Sequence, residues 1–130
     1  MNGYETAAGI AKALGHPARL QILTEIARNG EACVCHLEAT LGLRQAYVSQ
    51  QLARLRDAGL VSDRRDGMNV YYALVDDAVG ELLTAIQHVA GALAEDALAF
   101  SLPAPGEPCC CPRCEDEPAA NAVTLSAERA

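Results

Sequence analysis

The change of hydrophobic period at Gly59 constrains this chain more than any other feature. Before it, Val34, Leu37 and Leu41 recur at i, i+3, i+7 and stop at Gly42, and Val48, Leu52 and Leu55 recur at i, i+4, i+7. These spacings predict helices over about 32–41 and 44–58, joined by a tight glycine turn, the signature of a helix-turn-helix. After Gly59 the pattern becomes Leu60-Val61-Ser62-Asp63-Arg64-Arg65, then Asp66-Gly67, then Asn69-Val70-Tyr71-Tyr72-Ala73-Leu74. That reads as a β-hairpin turning at Asp-Gly. A hairpin directly after the second helix of such a pair is a wing.

The flanking segments complete the architecture. A short helix is expected over about 5–14, ending near Gly15. His16-Pro17 then starts a second helix, because proline is tolerated in a first helical turn, and Asn29-Gly30 stops it. Leu20, Leu23, Ile26 and Ala27 mark its apolar face. Asp76 or Asp77 can cap a last long helix reaching about Phe100, striped by Leu82, Leu83, Ile86, Val89, Ala90, Leu93 and Ala97. Five of the six prolines lie between 103 and 118, so the chain divides into a winged helix-turn-helix over 1–102 and a Pro/Cys-rich tail over 103–130, on which no secondary structure is forced. The fold class is mainly α with a small β-hairpin.

A net charge of −7 looks unsuited to nucleic acid until it is divided by region. Residues 1–42 carry −1 and residues 73–130 carry −8. Residues 43–72 hold Arg44, Arg54, Arg56, Arg64 and Arg65 against Asp57, Asp63 and Asp66, a local +2. Phosphate binding depends on the field of the contacting face rather than on the total. No run of eighteen apolar residues occurs, so no membrane span is expected. The start Met1-Asn2-Gly3-Tyr4-Glu5 lacks the pattern of an export signal, which leaves the cytoplasm as the expected location. There is no nucleotide-binding glycine loop, no nucleophile triad and no zinc-protease motif, so an enzyme is not expected.

Six cysteines in a reducing compartment point to metal binding or redox sensing rather than to a disulfide framework. Cys33 and Cys35 stand one residue apart where the third helix begins; Cys109, Cys110, Cys111 and Cys114 fall in the tail. The bland reading of the first pair is two small buried hydrophobes. Within a regular helix, residues at i and i+2 also point about 200° apart and cannot chelate. At an irregular first turn both sulfurs can face one ion, and a helix N-terminus favours the thiolate ligand. The bland reading of the tail group is an oxidation-prone end. Cys111-Pro112-Arg113-Cys114 resembles a thiol-disulfide motif, but it lacks the strand-helix-strand context of a thioredoxin-like unit. It also has the better chelating spacing of the tail group.

On the second helix of the pair, Arg44, Gln45, Tyr47, Ser49, Gln50 and Arg54 lie off the apolar stripe. An ordinary solvated face would look the same. Yet the N-terminal residues of such a helix are those that reach base edges in the major groove. Glutamine suits adenine, arginine suits guanine, and serine and tyrosine suit phosphates. Arg64 and Arg65 beside the wing turn suit the minor groove or the backbone. His16 and His36 read as structural, His36 with a lesser claim as a spare ligand or neighbouring support.

With these residues in view, the chain resembles the ArsR/SmtB family of winged-helix, metal-responsive repressors over about residues 11–75. The resemblance rests on Ala13-Leu14-Gly15-His16-Pro17-Ala18-Arg19-Leu20, on Glu31-Ala32-Cys33-Val34-Cys35-His36-Leu37, and on Val48-Ser49-Gln50-Gln51-Leu52 through Leu60-Val61. It implies a homodimer, paired through the first and last helices, that binds operator DNA when metal-free and leaves when metal binds. The cysteine box is similar to those that sense arsenite, Cd(II) or Pb(II). Departures narrow this. A zinc site on the last helix would need histidines where Ala78 and Val89 stand, with His88 one position out of register. A third box cysteine is replaced by Glu38, and no cysteine precedes the first helix. A third ligand is then expected from Cys109, Cys110, Cys111 or Cys114. Two other functions stay open: a dithiol redox or persulfide sensor on the same fold, and a thiol-rich metal-storage or metallochaperone protein.

Overall fold

Asn2 starts the first helix, which begins earlier than its apolar spacing suggests. In the computed structural model, which describes residues 2–93, the Asn2 side chain accepts from Glu5 N at 2.9 Å. Glu5 Oε2 reaches back to Asn2 N at 3.4 Å. This reciprocal pair satisfies two of the donors a helix start leaves open, and it fixes α1 as Gly3–Leu14. At α2 (Pro17–Asn29) the His16 side chain is the cap, its Nδ1 accepting from Ala18 N at 3.2 Å, and proline occupies the first turn.

Next in sequence come a two-residue strand, β1 (Ala32–Cys33), and the helices α3 (Val34–Leu41) and α4 (Gln45–Asp57). The predicted third helix, about 32–41, therefore loses its first two residues to a sheet. Two residues are too few to show alternation, so this pairing is a tertiary decision. Between α3 and α4, Gly42 takes φ 68°, ψ 28°, a left-handed conformation that costs glycine nothing and ends the helix.

The wing follows as β2 (Val61–Asp66) and β3 (Asn69–Leu74). Asp66 pairs with Asn69, which makes Gly67-Met68 the turn, one residue later than the Asp-Gly expected. Gly67 has φ 63° and no non-glycine residue among those described has positive φ, the pattern of a II′ hairpin turn. Strand β1 adds to the other edge of β3, giving a three-stranded antiparallel sheet in the order β1-β3-β2. Asp76 Oδ1 accepts from Ala78 N at 2.8 Å and caps α5 (Asp77–Leu93). The expected extension to about residue 100 and the boundary near 102 lie outside the described residues.

The core gathers one face of each helix. Ile22, Leu23 and Ile26 of α2, Leu37 of α3, and Val48, Leu52 and Leu55 of α4 are fully buried, closed above by Ala13, Leu14, Val79 and Leu83. The stripe foreseen on α4 is the buried one. On α2, Ile22 takes the place expected for Ala27, which is exposed. At about 25 cal/mol per Å² of apolar surface removed from water, these seven side chains dominate the stability of the helical core. The α5 stripe is only half used, because Leu82, Val89 and Leu93 remain 38%, 55% and 82% exposed. No helix among the described residues is long and apolar enough to cross a membrane.

Candidate functional site

The outward face of α4 is presented as the sequence suggests. Arg44 occupies its N-cap position with no side-chain capping bond, so its guanidinium is not used to close the helix. Gln45, Ser49, Gln50 and Arg54 are exposed. Gln45 and Ser49 stand one turn apart, as do Gln50 and Arg54, so each pair forms a continuous strip along the helix. Tyr47 differs. It is half-buried, and its hydroxyl lies 3.4 Å from His16 Nε2 with the two rings 6.4 Å apart. With His16 Nδ1 occupied as a cap acceptor, Nε2 is the ring nitrogen left to meet Tyr47 Oη. Tyr47 therefore ties the start of α4 to the start of α2.

The two wing arginines diverge. Successive residues of a strand face opposite sides, and only Arg64 turns toward the body. Its Nη2 donates to Glu31 Oε1 at 2.7 Å, its Nη1 lies 3.8 Å from Asp66 Oδ2, and its guanidinium carbon sits 4.8 Å over the ring of Tyr71. The hydrogen bond to Glu31 pushes the Arg64 pKa above its ordinary value, which keeps an already permanent cation charged. Arg65, across from Val70, is exposed.

The thiols converge. Cys33 has extended backbone (φ −88°, ψ 166°) and serves as the N-cap of α3, its sulfur accepting from His36 N at 3.4 Å. Cys35 lies in the first turn. This break from helical geometry brings the two Sγ atoms to 3.1 Å, where two residues inside a helix would have pointed apart. Cys33 is buried at 3% exposure and Cys35 is half-buried. Thiolates sharing a tetrahedral ion at bonds of about 2.3 Å stand about 3.8 Å apart, so a small parting of these sulfurs would fit them to one soft ion. Among the described residues, no group of three or more His, Cys, Asp or Glu side chains is arranged to hold a metal. The pair thus fits as a two-thiol portion of a soft-metal site. The other four candidates, Cys109, Cys110, Cys111 and Cys114, lie outside the described residues.

His36 is engaged elsewhere. Its Nε2 lies 2.9 Å from Glu25 Oε1, a buried carboxylate that also receives Asn29 Nδ2 at 2.6 Å and Arg28 Nη1 at 3.3 Å. Sequence reasoning passed over Glu25, Glu31 and Tyr71. Glu31 sits two residues before the thiol pair, and Tyr71 alternates inward along its strand; only the fold brings Glu31 to Arg64 of the wing and Tyr71 to Cys33.

Comparison with known proteins agrees with this architecture. Residues 16–63 match the model for bacterial regulatory proteins of the arsR family. The chain is 40% identical over 89 residues to an uncharacterized HTH-type transcriptional regulator of Methanocaldococcus jannaschii, covering 68% of this chain and all of that relative. It is 46% identical over 65 residues to the arsenic resistance transcriptional regulator ArsR1 of Pseudomonas putida, about half of each chain. Among solved structures, the homodimeric winged helix-turn-helix DNA-binding domain Mb0332 of Mycobacterium bovis superposes with a TM-score of 0.65 at 33% identity, covering 72% of this chain and 86% of that one. The helix-turn-helix, its wing and these relatives together establish that this chain belongs to the arsR family of transcriptional regulators.

Proposed function

We propose that this regulator is a homodimeric repressor that binds operator DNA when metal-free and releases it when Cys33 and Cys35 ligate arsenite, with Cd(II) and Pb(II) as competing inducers. The observation that carries this reading is the convergence of the two sulfurs to 3.1 Å at the N-terminus of α3. Soft thiolates select soft metals and metalloids. The arsenic-resistance relative supports arsenite over Cd(II). Arsenite prefers three thiolates, and Cys109, Cys110, Cys111 and Cys114 are the remaining source. The exposed Leu82, Val89 and Leu93 of α5 support pairing of two copies through the terminal helices, as does the homodimeric state of the mycobacterial domain. Arg44, Gln45, Ser49, Gln50 and Arg54 would meet the major groove, with Tyr47 holding the helix start and Arg64 and Arg65 serving the wing.

The test is a titration. Duplex selected from a random pool by the metal-free protein is held in complex and titrated with arsenite, Cd(II), Pb(II) and Zn(II) under reducing conditions, with release read by fluorescence anisotropy. Release by arsenite, Cd(II) or Pb(II) at concentrations where Zn(II) releases none is expected. Release by an oxidant or persulfide alone, with none from any ion, would transfer the same thiol pair to redox sensing.

A further inference from the structure

Cys33, Tyr71 and Arg64 occupy one row across the three strands. Cys33 is the ladder partner of Tyr71, and Tyr71 is the partner of Arg64. Directly opposed residues in a sheet project from the same face, so the thiol, the ring and the guanidinium follow one another without interruption. Cys33 and Tyr71, 3% and 4% exposed, are buried together in a small cluster of their own, with Cys35 packed against it. Arg64 caps the ring and turns back to Glu31, the residue just before β1 and two before Cys33. The contacts close a circuit: Glu31 to Cys33 along the chain, Cys33 to Tyr71, Tyr71 to Arg64, and Arg64 to Glu31.

An exposed ion pair alone holds a side chain weakly. Here the ring face gives Arg64 a second anchor, so the position of the guanidinium depends on where Tyr71 lies. Tyr71 in turn has a thiol against it. Close-packed interiors pass displacement on rather than absorb it. A parting of the two sulfurs around a shared ligand that shifts Cys33 would bear on Tyr71, its ladder partner in the wing.

We propose that Tyr71 is the positioning residue through which occupancy of the Cys33/Cys35 pair reaches the wing, and that the Arg64–Glu31 clamp is the contact it releases. The inference rests on the sensing function proposed above and adds the route. It gives the clamp two states, closed as seen here and open when the thiols are occupied, so the wing meets DNA differently in each.

The experiment uses the full chain with arsenite as the probe and compares wild type, Tyr71→Leu, Glu31→Ala and Arg65→Gln. Uptake is read from sulfur-to-arsenic absorption, and DNA affinity with and without arsenite from anisotropy. Allosteric ratios of this kind are on the order of 5–150-fold. Tyr71→Leu and Glu31→Ala should take up arsenite as wild type does, while the ratio of the two DNA affinities falls several-fold toward one. Arg65→Gln, outside the circuit, should weaken DNA binding equally in both states and keep the ratio. Glu31→Ala carries the test alone if Tyr71→Leu fails to fold, since Glu31 lies outside the core. A wild-type ratio in Glu31→Ala at normal uptake would overturn the route and leave the sensing function standing. Absence of arsenite uptake by wild type itself would remove both.

Discussion

Glu25 of α2 and His36 of α3 meet at 2.9 Å in an almost closed site, with the Glu25 side chain 5% exposed. The same carboxylate holds Asn29 and Arg28, so three donors converge on one buried acceptor. This cluster pins the helix that the thiols open to the helix before it. Glu25→Ala should therefore cost about 1–3 kcal/mol of stability, the usual penalty for leaving buried donors unpaired, measured by urea unfolding. His36→Gln should leave the sulfur-to-arsenic absorption unchanged. Loss of that absorption would mean that the ring belongs to the thiol site after all.

Cys33 is both a sulfur donor and a helix cap, and the two roles separate on substitution. Serine is among the preferred N-cap residues, so Cys33→Ser should fold and bind operator normally. It should not release DNA at any arsenite concentration that releases wild type, and Cys35→Ser should behave alike. Wild-type release by either variant would reduce the pair to packing.

Arg44 and Gln45 lie at the exposed start of α4 and have no capping role to lose. Their alanine variants should lose about 1–3 kcal/mol on operator and less on unrelated duplex, as expected for a base contact. Arg65→Ala should weaken both duplexes similarly and lower the salt slope by about 1. A uniform loss across all three variants would show that α4 does not read bases.

Val89 and Leu93 are apolar yet 55% and 82% exposed. Glutamate at either position removes nothing from the core, so the monomer should stay folded by circular dichroism. Sedimentation should nonetheless shift from dimer to monomer, and operator affinity should fall with it. A variant that remains dimeric would move the interface off this face.

Truncation after Leu102 removes four of the six cysteines. The shortened chain should bind operator with wild-type affinity but respond to arsenite only at much higher concentration, with absorption reduced by at least one thiolate per ion. An unchanged response would require a third ligand from elsewhere.

The helices and the wing were legible because their causes are local. Val48, Leu52 and Leu55 recur at helical spacing, Pro17 suits a first turn, and Gly42 and Gly67 take backbone conformations that their neighbours would resist. The thiol pair was equally plain as a pair of soft donors. Its geometry was not. Cys33 leaves the helix because Ala32 and Cys33 pair with Tyr72 and Tyr71, far along the chain, and a two-residue strand carries no periodic signal. The same holds for Arg64. Sequence placed it beside Arg65 as an equal on the wing, whereas the fold sets it over Tyr71 and against Glu31. Residue type and spacing determined the elements and the chemistry available to them. Long-range pairing across the sheet decided which groups touch, because contacts between distant segments depend on how elements pack and not on the residues adjacent in the chain.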